Sequence, residues 1–414
     1  MNIWSLLLVF GAAFGLVYTA LALAILIFSV RQKRSLANHL FTPPVTIFKP
    51  LKGVDENLRQ NLESFFTQDY PRFELIFGVN DDDDPAVEIV RNLISVYPHV
   101  PARLVIDSRR TGYNPKVNNL CNMSPHASHD HWVISDSNVR VESSYLKELV
   151  GEMRNPKVGL VTSLIRGVGG KRLGAKLENL HLNSFIAAST LAVSKLSSIP
   201  VSIGKSMLMR RETIARMGGF ERFADFLLED GLIGREVRKM GLETATCMHA
   251  INNVNDTWSV RDFMARHFRW GLMRRHLNIV HYSGEIVSNP IVLSLIAIAV
   301  DPSAATLALA AGFTALKVLL DLVAVQMVGG SISLSSLWLL PLKDILIAAV
   351  WWRPFFTNHV TWRGNRMRIG KMTRISPVQP SMRFVVDRES SRIGRAVKRF
   401  RHTGRRLVLW GSGA

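Results

Sequence analysis

Residues 3 to 30 carry no charged side chain and are dominated by Leu, Ala, Val, Ile and Phe. The stretch exceeds the roughly 20 residues needed to span a bilayer core, so the pattern predicts a transmembrane helix. A cleaved secretory leader is the alternative, but such leaders open with basic residues and have a shorter apolar core. Arg31, Lys33 and Arg34 follow directly, and the positive-inside tendency places what comes next in the cytoplasm.

From Pro43 to about Ser283 the pattern changes to short apolar runs alternating with amphipathic stretches. Val45 to Phe48, Glu74 to Val79, Ala102 to Ile106 and His131 to Ile134 read as buried strands ending in polar residues. Between them, Leu58 to Phe66 and Pro85 to Tyr97 show helical spacing of apolar residues. This alternation predicts an α/β domain with a mostly parallel sheet, in which ligands bind beyond the carboxyl ends of the strands. After Asn289 the chain is apolar again, over Ile291 to Val300, Ala304 to Val328 and Leu337 to Trp352. Three crossings would separate the α/β domain from the C-terminus, whereas a shared cytoplasmic side requires an even number. The third stretch holds Pro341, Lys343 and Asp344, costly in lipid, which points to a re-entrant, interfacial or bundle-packed segment. The expected organisation is an anchor over 1–34, a catalytic domain over 43–284, membrane segments over 286–352 and a basic cytoplasmic tail over 353–414.

Composition sharpens this picture at one end. Apolar residues make up 48% and charged residues 20% of 414, yet the net charge is +19. From Arg353 onward fifteen Lys or Arg residues face only Asp387 and Glu389, so the tail carries most of that excess. Its position after a membrane-type segment favours anionic lipid over nucleic acid, with each juxtamembrane cation worth about 1 kcal/mol. A solvated tail without a particular partner is the alternative. Cys121 and Cys247 show no pairing or zinc-type spacing.

Four polar clusters carry candidate chemistry. Asn80 to Asp84 follows a strand, and its adjacent carboxylates suit a base, a ribose or a cation; an acidic turn capping the helix near Pro85 is the plain alternative. Asp136-Ser137-Asn138 also follows a strand, and an acid with a second oxygen ligand suits a hard divalent ion that takes its remaining ligands from phosphate and water. The same residue types also make ordinary side-chain-bonded turns. Glu229-Asp230 ends the apolar run Phe226 to Leu228, where a carboxylate can accept a hydroxyl proton or simply satisfy a helix N-terminus. Arg266 and Arg269 share a helix face beside Trp270, which suits a diphosphate and a sugar or lipid headgroup, or else a basic face on the bilayer.

In this order and spacing the clusters resemble the D, D, D and (Q/R)xxRW signature of family-2-type glycosyltransferases of GT-A fold. The resemblance is closer to ceramide glucosyltransferases, through Phe48 to Asp55, Asn80 to Ala86, Gly112 to Leu120 and Gly204 to Met207. It covers about Pro43 to Leu277. It implies that Asp81 and Asp83 bind the nucleotide, that Lys116 and Asn118 lie on the donor side, and that Asp136 and Asn138 hold Mg²⁺ or Mn²⁺. It further implies that Asp230 is the general base of an inverting transfer, and that Arg266, Arg269 and Trp270 close the site. The implied donor is UDP-glucose or a related UDP-hexose, the acceptor a lipid hydroxyl, most readily ceramide, and nucleic acid is not a partner. A bacterial inner-membrane protein with its catalytic domain in the cytoplasm is the expected setting. Where animal members carry a histidine after Leu177-Glu178, this chain has Ile186, with His181 out of register. Hopanoid-lipid glycosyltransferases, using UDP-N-acetylglucosamine, resemble the same motifs. A processive polysaccharide synthase would need more membrane segments, and a scaffold without catalysis would not need all three acids.

Overall fold

The computed structural model describes residues 1–32, 40–197, 199–362 and 365–378. Lys33, Arg34 and most of the basic tail lie outside the described residues. Contacts join Met1–Pro377 into one unit.

Eight strands form one sheet: β1 (Val45–Pro50), β2 (Phe73–Val79), β3 (Ala102–Ile106), β4 (His131–Ser135), β5 (Val139–Arg140), β6 (Val158–Val168), β7 (Ser206–Arg210) and β8 (Glu243–Val254). Their order is β3-β2-β1-β4-β7-β6-β8-β5. These first four pair in parallel with one another, and β1, β2 and β4 are buried as their apolar runs predict, whereas β3 at the sheet edge exposes Arg103 and Ile106 and is not the buried strand expected. Strand β7 enters antiparallel between β4 and β6, so the carboxyl end of β4 meets the start of β7. That junction places Asp136 and Lys205 side by side.

Two helical layers cover the sheet. Helices α2 (Leu58–Phe66), α3 (Ala86–Val96) and α5 (Tyr145–Gly151) bury one apolar layer with Leu62, Phe65 and Val90 fully enclosed. Each such side chain contributes roughly 1.5–3 kcal/mol. Helices α4 (Pro115–Met123), α8 (Arg211–Arg216) and α9 (Glu229–Lys239) cover the other face with Leu120, Ile214 and Ile233.

Helix α1 (Ile3–Arg31) coincides with the first apolar stretch, and its N-cap Asn2 accepts from Ser5 N. Helices α6 (Leu173–His181) and α7 (Ala187–Leu196) are joined by a π-helical turn over Leu182–Ile186. Then come α10 (Val260–Leu277), α11 (Ile279–Gly284), α12 (Pro290–Val300), α13 (Ala304–Met327) and α14 (Leu339–Trp351). The capping box of Ser259 and Asp262 fixes the start of α10.

Helices α12 and α13 form a hairpin along α1. Asp301, after α12, lies 3.7 Å from the Met1 ammonium, so the α12–α13 turn sits at the first end of α1. Ala324 and Val328 at the other end of α13 pack with Leu26 of α1. Helix α14 has the length and composition of a span once its flanks are included. Yet Leu339 and Leu340 pack on Leu177 and Phe263, while Trp351 bonds Tyr282, so both its ends touch the α/β side. Its two charges are answered within the bundle. Lys343 lies 2.9 Å from Asp321 and 2.7 Å from Asp344, and Lys317 lies 2.7 Å from Asp321 and 3.3 Å from Asp344. Two cations and two anions thus close a neutral buried square, which reconciles such residues with an apolar setting.

Residues assigned by composition to the tail also fold. Strands β9 (His359–Trp362), β10 (Asn365–Ile369) and β11 (Ile375–Pro377) form a second, antiparallel sheet packed on Leu227, Leu272 and Met273.

Candidate active site

A cavity of about 800 Å³ opens at the carboxyl ends of β1, β2 and β4. Lys49, the fifth residue of β1, is fully buried beneath it, its ammonium 3.8 Å from the Phe65 ring centroid. It donates to Asp136 O over 2.6 Å and to Ser135 Oγ over 3.2 Å, which pins the backbone turn after β4. Burial lowers the pKa of Lys49 well below the usual lysine value.

Asp136 stands between two lysines. Lys116 Nζ lies 2.9 Å from Oδ1, and Lys205 Nζ lies 3.1 Å from Oδ2. Burial opposes ionisation of Asp136, but the two ammonium groups outweigh it and hold the carboxyl below its ordinary range. Lys205 also donates to Asn138 Oδ1. Burial dominates at Lys205 and lowers its pKa to about 8, despite Asp136.

Local sequence explains how Lys116 arrives there. Asn114 caps α4 by accepting from Lys116 N over 3.0 Å and Val117 N over 3.2 Å, and Pro115 occupies the first helical turn. Lys116 consequently starts its helix beneath the cavity, where it also reaches Glu229 Oε1 at 3.0 Å and Gly204 O at 3.1 Å. Burial works against its charge, yet Asp136, Glu229 and Asp230 together raise its pKa.

Asp230 lies one residue inside the N-terminus of α9. Its Oδ2 accepts from Gly204 N over 2.7 Å and its Oδ1 from Gly231 N over 2.7 Å. Burial and the adjacent Glu229 raise its pKa to about 6, against the lowering influence of Lys116 and the two N–H groups. The preceding apolar run is not a strand. Phe226 makes only an isolated bridge to Arg374, and the C-terminal segment holds the run through Leu227 N to Thr373 O at 3.1 Å and Leu228 N to Thr373 Oγ1 at 3.3 Å.

The opposite wall is helix α10. Arg266, Arg269 and Trp270 all line the cavity, as helical spacing implies. The Arg266 guanidinium sits 4.4 Å from the Trp270 ring centroid and 5.2 Å from that of Trp258. Behind it, fully buried Glu178 of α6 lies 3.3 Å from Arg266 Nε and 2.8 Å from His267 Nε2. Burial favours a neutral Glu178, but Arg266 and His267 prevail and lower its pKa. His181 packs edge-on to His267 with ring centroids 4.7 Å apart, and Ile186 lines the cavity.

The structure thus brings together Lys116, Asp136, Asn138, Asp230, Arg266, Arg269 and Trp270. Asp81 and Asp83 are exposed and do not line the cavity, while Asp82 pairs with Arg91 at 3.0 Å. Asp84 performs the capping role, accepting from Ala86 N over 2.9 Å and Gly53 N over 2.8 Å. Asn80 is the member of that cluster that faces the cavity, and its buried Oδ1 has no hydrogen-bond partner among the described residues. Asn118 accepts from Thr111 N and Gly112 N and donates to Gly112 O, which shapes the turn before α4. Sequence reasoning assigned no role to Lys49, Asn80, Glu178 or Lys205. A lysine within or beside an apolar strand was the available signal for Lys49 and Lys205.

Among the described residues no three His, Cys, Asp or Glu side chains are placed to hold a metal. The oxygen donors at hand are the Asp136 carboxylate and the Asn138 amide. One carboxylate and one amide match in type a hard cation whose other ligands are phosphate and water, although here both Asp136 oxygens and Asn138 Oδ1 face the Lys116 and Lys205 ammonium groups, which an ion arriving with a diphosphate would have to displace.

The chain matches the profile of "Glycosyl transferase family 21" over residues 7–375. It is 33% identical over 233 residues to Ceramide glucosyltransferase 3 of Caenorhabditis elegans, covering 56% of this chain and 50% of that protein. To the ceramide glucosyltransferase of Komagataella phaffii it is 29% identical over 311 residues, covering 60% and 61% respectively. The chain spans about half the length of the two nematode relatives it matches. Among solved structures it is similar to the mannosyltransferase PcManGT from Pyrobaculum calidifontis in complex with GDP-Man and Mn²⁺. There the TM-score is 0.49 at 19% identity, over 84% of this chain and 99% of that one. With the family profile matched from the first helix to the last described strand, this chain belongs to glycosyl transferase family 21.

Proposed function

We propose that the protein transfers a hexose from a UDP-sugar to the hydroxyl of a membrane lipid, with ceramide as the acceptor and inversion at the sugar carbon. The observation that carries this reading is Asp230, a carboxylate with a raised pKa in the same cavity as the Lys116 and Lys205 ammonium groups. In the proposed reaction Asp230 accepts the acceptor's proton as its oxygen attacks the anomeric carbon, and Lys116 and Lys205 face the charge growing on the departing diphosphate. Mg²⁺ or Mn²⁺, held by Asp136 with Asn138 beside it, would add further neutralisation of that diphosphate. Trp270 and the Arg266 guanidinium stacked on it supply a flat cationic wall for sugar and phosphate.

The names of the curated relatives support ceramide and glucose as acceptor and donor sugar. Arg31 at the end of α1 supports a cytoplasmic site at the inner face of a membrane, a bacterial inner membrane in this reading. Mass spectrometry of lipids from cells with and without the protein tests the proposal. Hexosylceramide that appears only with the protein supports it; a hexose on hopanoid lipids, or no new glycolipid, counts against it.

A further inference from the structure

Helix α7 has two occupied faces. Ala188, Leu191 and Ala192 pack on Ala22, Leu23 and Leu26 of the apolar helix α1. Ile186, at its start, and Thr190 line the cavity instead. The Thr190 hydroxyl donates back to Ile186 O over 2.7 Å, so this wall is largely apolar. On the other side of the cavity stand Met273 and Arg274 of α10.

Arg274 also leads to α1. Its Nε lies 2.8 Å from Glu285, at the start of the turn Glu285–Ser288. That turn meets α1 at Gly15, where the Val287 carbonyl leaves no room for a Cβ. Both margins of the cavity are therefore linked to the segment of α1 between Gly15 and Leu26, one through the opposite face of α7 and the other through Glu285 and the turn that follows it. The free face of the same helix is bilayer-like, with Phe14, Val17 and Leu21 exposed. A water-soluble acceptor has no use for such a junction, whereas a lipid anchored in the bilayer must reach the cavity from this side.

Resting on the function proposed above, we infer that the acceptor lipid enters from the bilayer beside α1, between Ile186 and Thr190 on α7 and Met273 and Arg274 on α10. The apolar α7 wall contacts the chain nearest the headgroup, and Arg274 lies at the polar edge. The hydroxyl then reaches Asp230 while the hydrocarbon chains stay in the membrane.

The test uses the full chain reconstituted in phosphatidylcholine vesicles containing the acceptor lipid, comparing wild type with Thr190→Trp and, from the opposite wall, Met273→Trp. Lipid glycosylation is measured beside calorimetric binding of UDP. A narrowed entrance lowers glycosylation at least about tenfold while the UDP dissociation constant stays within about twofold. Wild-type glycosylation in both variants, or loss of UDP binding in parallel with glycosylation in both, overturns the entrance. A wild-type protein that binds UDP yet glycosylates no lipid overturns the proposed function itself.

Discussion

The backbone N–H of Gly204 donates to Asp230 Oδ2 over 2.7 Å, and the carbonyl of the same glycine accepts from Lys116 Nζ over 3.1 Å. The backbone of this one residue thus contacts both the proposed base and the cation beneath it. A Cβ at residue 204 would lie 2.9 Å from both Asp230 Oδ2 and Lys116 Nζ, which explains glycine there.

The pH dependence of transfer follows from Asp230. Burial and Glu229 raise its pKa to about 6, and only the carboxylate can accept a proton. Activity should therefore be fullest above that value and fall about tenfold per unit below it. A kcat/KM profile measured from pH 4.5 to 8 checks this. Flat activity down to pH 4.5 would remove Asp230 from the role.

Asp136 should separate metal dependence from lysine chemistry. Asp136→Ala removes the single carboxylate between Lys116 and Lys205, and with it the anionic ligand for Mg²⁺ or Mn²⁺. Transfer should be lost in that variant, and in wild type with excess chelator, with return on adding either ion. Full wild-type activity in chelator would show that the two lysines suffice.

Glu178 should act by positioning Arg266. Glu178→Gln keeps the shape and removes the buried charge 3.3 Å from Arg266 Nε. The donor KM should rise about tenfold with kcat changed less than about twofold, and Glu178→Asp should recover part of the loss. A merely structural role would instead lower the melting temperature and the active fraction at unchanged KM.

The buried square of Lys317, Asp321, Lys343 and Asp344 gives a stability test. Lys343→Met leaves the two carboxylates with one cation. Breaking such a pair costs about 3–5 kcal/mol, so the melting temperature in detergent should fall clearly. Unchanged melting would mean that water or lipid headgroups reach the square.

Legibility differed between the layers of the fold. Val45 to Phe48 was readable because a parallel strand covered on both faces is a continuous apolar run. The small sheet of β9, β10 and β11 was not, because Asn365–Ile369 carries two arginines and its partner strands His359–Trp362 and Ile375–Pro377 are only 4 and 3 residues long. At the site, Asp136 and Arg266 were readable from motif and helical spacing. Glu178 was not, since its partners Arg266 and His267 are 88 and 89 positions away in sequence and only the packing of α6 on α10 joins them. Asp81 was singled out from an acidic run whose inward residue is Asn80, a difference of one position in a turn that sequence pattern does not resolve.

The central claim is that Asp230 takes the proton from a lipid hydroxyl. Asp230→Asn preserves size and keeps one acceptor oxygen, for either Gly204 N or Gly231 N, but its NH2 faces the other donor and it is no longer a base. The measurement is calorimetric donor affinity beside the initial rate of lipid glycosylation, for wild type, Asp230→Asn and Glu229→Gln. The account predicts donor affinity within about threefold of wild type and transfer reduced at least about 100-fold in Asp230→Asn, with a smaller loss in Glu229→Gln. Near wild-type turnover in Asp230→Asn would contradict it.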